Sequence, residues 1–171
     1  MEERAKRVKA IIFDVDGVLT DGKIYYTNGG DELRAFNVHD GMGIELLRKA
    51  GIKTFIITGK RSNIINRRAK DLKIDKVFQN SSNKIVAYKK ILKAYNLNDD
   101  QVCFIGDDLL DLEVLRRVGF SVTVPKANAS IKDVCCYVTQ KQAGDGAVRE
   151  VIEFILKAQN KWNEITQNYF C

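Results

Sequence analysis

The 171-residue chain contains one proline and one histidine, and each scarcity excludes something. With Pro125 as its single ring, the chain has no proline-rich linker, and no low-complexity stretch or internal repeat divides it either. One domain covering residues 1–171 is therefore expected. With His39 as the single imidazole, a Ser-His-Asp hydrolase would have to use that residue, and no G-x-S-x-G elbow is present. His39 stands beside Asp40 in "NVHDGMGI"; a substrate or subunit contact and a structural hydrogen bond both stay open for it. Cysteine is also sparse. Cys103, Cys135, Cys136 and Cys171 form no C-x-x-C pair and no paired His/Cys cluster, so neither a zinc site nor a disulfide framework is indicated, and reduced packing thiols are expected.

No apolar run approaches the roughly 20 residues of a membrane span. The basic start "MEERAKRVKA" leads into "IIFDVD", whose aspartates interrupt any signal-peptide core, so a cytoplasmic protein with no membrane partner is expected. Positive charge is in excess, 28 Lys and Arg against 22 Asp and Glu, but it is interleaved with acids and forms no block. A nucleic-acid partner is not expected; a diffuse positive field suits a small anionic substrate better.

Short apolar runs at residues 9–13 and "KTFII" (53–57) each end in a polar or glycine-containing loop, and each is followed by a helix-like segment. This is the rhythm of a parallel α/β sheet. "GMGIELLRKAGI" reads as a helix stopped by Gly51, "SNIINRRAKDL" as the next, "KVFQ" as a strand and "NKIVAYKKILKAY" as a helix. "QVCFIGDD" reads as a strand and "LLDLEVLRRVG" as a helix closed by Gly119. "FSVTV" and "CCYVT" follow as strands, and "GAVREVIEFILKAQNKW" as one long final helix. Between Thr20 and Asn37, alternating apolar residues flank Asn28-Gly29-Gly30, a hairpin signal.

In open parallel sheets functional groups gather outside the carboxyl ends of the strands. That rule collects Asp14 and Asp16 after the first strand, Thr58 after the second, Asp107 and Asp108 after "CFIG", and Lys84 at the start of a helix. Singly, these are a solvated turn, a strand-to-helix cap, an N-cap and one of many lysines. Together, in this order and on one rim, they form a cluster of carboxylates that repel one another unless a cation sits among them, and hard oxygen ligands favour Mg²⁺. Asp14 is then placed as a nucleophile toward phosphorus, and Asp16 as the group that protonates the leaving alcohol and later takes a proton from water. Thr58 and Lys84 would hold phosphoryl oxygens, Asp107 would be the distant metal ligand, and Asp108 and Asp111 would hold the metal's waters or Lys84.

"DVDGVLTDG", "IITGK", "NKIVAY" and "IGDDLLD" resemble the four motifs of the haloacid dehalogenase superfamily, along nearly the whole chain. The resemblance implies a three-layer Rossmann-like α/β fold, a parallel sheet with helices on both faces, with a β-hairpin after the first strand. It also implies Mg²⁺-dependent phosphomonoester hydrolysis through an aspartyl phosphate, with Asp14, the main-chain carbonyl of Asp16, and Asp107 as metal ligands. Only the hairpin follows the first motif, so no cap domain is expected. "FNVHDGMGIELL" and "GDGAVREV" resemble capless members that remove the 8-phosphate of 3-deoxy-D-manno-octulosonate, a lipopolysaccharide sugar acid. This implies a homotetramer in which hairpin and tail approach a neighbour's site, with Lys60, Arg61 and Arg149 meeting the substrate. In the tail, Ala143 replaces a glycine of the family pattern and Asp145 fills a position that is often basic there. A nine-carbon sialic-type 9-phosphate is the alternative substrate. A receiver-like phospho-acceptor domain, whose acidic pair and acceptor come from strands in the reverse order, is the non-enzymatic alternative.

Overall fold

A computed structural model describes residues 1–169. Cys171, read above as a packing thiol, lies outside the described residues; Cys103, Cys135 and Cys136 are free thiols. The elements in chain order are α1 (Glu2–Lys6), β1 (Ala10–Phe13), β2 (Tyr25–Tyr26), β3 (Glu32–Leu33), α2 (Val38–Lys49), β4 (Lys53–Ile57), α3 (Asn63–Asp71), β5 (Lys76–Phe78), α4 (Lys84–Tyr95), β6 (Val102–Ile105), α5 (Leu112–Leu115), β7 (Phe120–Thr123), α6 (Ala129–Lys132), β8 (Tyr137–Val138), α7 (Ala147–Ala158) and α8 (Trp162–Thr166). Six strands form one parallel sheet in the order β5-β4-β1-β6-β7-β8, and β2 pairs antiparallel with β3 in the expected hairpin.

The pleat sorts alternate residues of β1 to opposite faces. Ile11 and Phe13 join the core under α2 and α7, whereas Ala10 and Ile12 join the core under α4, α5 and α6. Both faces being covered, the strands read as unbroken apolar runs. The chain builds outward from β1 to β4 and β5, then returns to β6 on the other side. The reversal leaves a crevice at the carboxyl ends of β4, β1 and β6.

Three expectations need correction. The segment 109–119 is a tight turn, Leu109–Asp111, followed by the short α5, because Asp108 and Asp111 cap the turn reciprocally and take its first residues out of the α-helix. The single final helix is two, α7 and α8, broken where Asn160 adopts φ +57°. α2 begins at Val38, before the glycines, because Asn37 caps it by accepting the His39 N–H at 2.7 Å. No helix among the described residues is long and apolar enough to cross a membrane.

Candidate active site

Directly after β1 the chain makes one wide turn, closed by the Thr20 N–H on the Val15 carbonyl at 3.0 Å. Gly17 permits it with φ +90°; a Cβ there would stand 2.1 Å from Asp107 Oδ2. Asp14 therefore stands at the entry to the turn and Asp16 inside it, and Asp107 is packed against it at Gly17.

Lys84, first residue of α4 and 2% exposed, lies between two carboxylates: its Nζ donates to Asp111 Oδ1 at 2.6 Å and to Asp14 Oδ1 at 2.9 Å. Asp111, wholly buried, also accepts the N–H groups of Asp107 at 3.0 Å and Asp108 at 3.3 Å through Oδ2. One carboxylate oxygen from each of Asp14, Asp107 and Asp111 lies within 4.8 Å of the others. Burial pushes Asp14 up to about 7 against the opposing charge of Lys84, and Asp111 adds to the rise. Burial likewise lifts Asp107 to about 7, helped by Asp111 and Asp108. Burial would lower Lys84, but Asp14 and Asp111 outweigh it and hold the ammonium above its ordinary value. One cation shared between two carboxylates leaves the cluster short of positive charge. Asp107 Oδ1 is moreover buried with no hydrogen-bond partner. A set of hard oxygens with that deficit fits a divalent cation such as Mg²⁺.

These groups open into a cleft of about 200 Å³ lined by Asp14, Asp16, Thr58, Lys60, Lys84 and Asp107 among others. Thr58 is buried at its floor and accepts the Lys60 N–H at 3.4 Å. Asp108 lines the cleft too, while its Oδ1 accepts the Leu109 N–H at 2.8 Å. An adjoining recess of about 170 Å³ shares Asp107 and carries Lys23 and Lys126. A larger groove, about 680 Å³, lies at the opposite, amino-terminal edge of the sheet, with Lys6, Lys9 and Lys161 in its wall and Asp100 as its one acid. Without a carboxylate cluster it offers no comparable chemistry.

Some sequence candidates stand apart from the cleft of their own chain. Arg61 is exposed and outside its lining. Arg149 is engaged by Glu153 at 2.7 Å and lies over the Trp162 ring, while its backbone N–H donates to Asp40 at 2.8 Å. Asp145 is exposed. His39 is exposed as well; its backbone N–H, and not its ring, makes the bond to Asn37. The tail loop is nevertheless close: the Gly144 N–H donates to the Val18 carbonyl at 3.1 Å, so it packs on the turn after β1.

Sequence reasoning missed the group around Asp16. Arg34 reaches it from the hairpin and also contacts Ser62 and Glu32. No spacing in "DELRAF" signals this, because the contact joins residues 18 positions apart through the fold.

A profile of the haloacid dehalogenase-like hydrolase family matches residues 73–152. The 3-deoxy-D-manno-octulosonate 8-phosphate phosphatase of Yersinia pestis is 45% identical over 159 residues, 93% of this chain and 85% of the relative. A crystal structure of a probable YrbI family phosphatase from Pseudomonas syringae superposes with TM-score 0.97 at 41% identity, over 99% of this chain and 97% of that one. The 3-deoxy-D-manno-octulosonate 8-phosphate phosphatase of Moraxella catarrhalis, solved with magnesium, phosphate and the sugar acid, gives 0.96 at 40% identity over 98% and 97%.

Proposed function

Because the chain belongs to the haloacid dehalogenase-like hydrolases and is a phosphomonoesterase among them, we propose that it hydrolyses 3-deoxy-D-manno-octulosonate 8-phosphate through a phosphorylated Asp14. The observation that carries the mechanism is Lys84 held between Asp14 and Asp111, with Asp107 beside them. Asp14, Asp107 and the carbonyl of Asp16 would hold Mg²⁺, which when bound neutralises the clustered charge and polarises the phosphoryl group.

An Asp14 oxygen bonds to phosphorus as the ester P–O bond breaks, and Asp16 gives its proton to the departing sugar oxygen, which leaves as the hydroxyl. Water then attacks the same phosphorus, its proton passes to Asp16, and Asp14 leaves as a free carboxylate with inorganic phosphate. Lys84 and the Thr58 hydroxyl hold the phosphoryl oxygens, and Asp111 keeps Lys84 pointed at them. Asp108 caps the turn that sets Asp107 and Asp111 in place.

The assignment to the eight-carbon acid draws on the relatives and on Lys60, Lys23 and Lys126 around the opening, cations suited to a substrate carboxylate. A cytoplasmic homotetramer belongs to the same reading. Tyr25, Tyr26 and Leu33 on the hairpin and Val38 on α2 are each more than half exposed, apolar surface that a neighbouring copy would cover; Arg61 and Arg149 would then face a neighbour's substrate.

The test is Mg²⁺-dependent release of inorganic phosphate, with kcat/KM compared across eight- and nine-carbon keto-acid phosphates, for wild type and Asp14→Asn. Preference for the eight-carbon ester, lost in Asp14→Asn, is expected. Preference for the nine-carbon ester would move the substrate, and stable phosphorylation without turnover would indicate a receiver-like acceptor.

A further inference from the structure

Arg34 leaves β3 and turns inward, its side chain fully buried. Its guanidinium grips Asp16 on both oxygens: Nε donates to Oδ1 at 2.7 Å and Nη2 to Oδ2 at 3.3 Å. This planar pairing of fork with carboxylate is one that lysine cannot form. The third nitrogen, Nη1, donates to Ser62 Oγ at 3.2 Å and pairs with Glu32. Ser62 donates in turn to Glu32 Oε1 at 3.1 Å and accepts the Ile64 N–H at 3.3 Å as the cap of α3. The guanidinium is thus fixed from behind by the hairpin and by the loop that carries Thr58, and from in front by Asp16.

A carboxylate on a turn rotates about two side-chain bonds unless something restrains it. The fork removes both freedoms and occupies two of the four lone-pair positions, and the carboxylate so held belongs to a residue that lines the cleft. We propose that Arg34 is a positioning residue for proton transfer. It holds the Asp16 carboxyl toward the leaving oxygen, and because it comes from the hairpin, docking of the hairpin on its own chain is a condition of efficient alcohol departure. The proposal rests on the reading that Asp16 carries the proton.

The test uses kcat/KM, which reports the steps up to loss of the alcohol, on two Mg²⁺-dependent reactions. One substrate is a sugar phosphate, whose alkoxide needs a proton; the other is p-nitrophenyl phosphate, whose phenolate leaves without one. Arg34→Ala should lose roughly 10²-fold on the sugar phosphate and only a few-fold on the aryl ester. Arg34→Lys, which keeps the charge but not the fork, should show the same selective loss, and it decides alone if Arg34→Ala does not fold. In an Asp16→Asn background Arg34→Ala should add nothing. Equal losses on both substrates, or losses that add to those of Asp16→Asn, would overturn the proposal. Asp16→Asn at full activity on the sugar phosphate would instead strike the proton role of Asp16 itself.

Discussion

Lys84 neutralises charge that the fold has already buried. Substituting it with methionine leaves Asp14 and Asp111 facing one another without their cation, at positions where little water enters. Removing one partner of a buried pair typically destabilises by about 3–5 kcal/mol, far more than loss of an exposed ion pair. Metal-free Lys84→Met should show that loss in urea unfolding at pH 8, together with loss of phosphatase activity. A variant as stable as wild type would mean that the two carboxylates find compensation elsewhere. At the same scale Asp40 has a different character: it is buried, accepts the Arg149 N–H, and joins the start of α2 to α7. Burial raises its pKa, but it sits on the structural side of the molecule and outside the cleft lining.

Among the elements, the turn after β1 sets the geometry of the site. A strand ending in an ordinary turn would carry both aspartates away from β6, whereas the wide turn brings Gly17 against the Asp107 carboxylate. Gly17→Ala would need a left-handed backbone with a side chain and would place a methyl where Asp107 now lies. The expected result is a fall in Mg²⁺ affinity of about tenfold or more, as when groups supporting metal ligands are displaced, measured by calorimetric titration. Undiminished affinity would show that this turn does not position Asp107. The hairpin is the second decisive element. Two strands of two residues each gain little from pairing alone, so the anchoring of Arg34, Glu32 and Ser62 contributes much of what holds it.

For the whole molecule, burial of acids makes stability depend on pH and metal together. Asp14 and Asp107 are both pushed up to about 7, against an ordinary carboxylate value near ~4 in the unfolded chain. Between those values the folded state binds more protons than the unfolded one. The contribution of these groups is therefore complete below the unfolded value and is lost as pH rises through about 7. Mg²⁺ binds the deprotonated forms, so it should offset the loss. The thermal midpoint of the metal-free protein should fall from pH 5 to pH 8, and the upward shift on adding Mg²⁺ should be larger at pH 8; equal shifts would contradict the assignment of the cluster. At this scale too, light scattering at micromolar concentration should give a tetramer, and a monomer would count against closure of the site by neighbouring copies.

Strand runs, their order along the chain, and the acids, threonine and lysine at their ends were legible in the sequence, because alternation and chain order constrain which residues a parallel sheet gathers on one edge. The helix boundaries were less so: Asn37 starts α2 and Asn160 separates α7 from α8 through local backbone bonds and dihedrals that composition does not fix. Tertiary structure alone decided that it is Asp111 rather than Asp108 that shares Lys84 with Asp14, and that Arg34 holds Asp16. Each of these is a contact between segments far apart along the chain. Its existence depends on how the elements pack, and no periodicity or spacing within one segment encodes it.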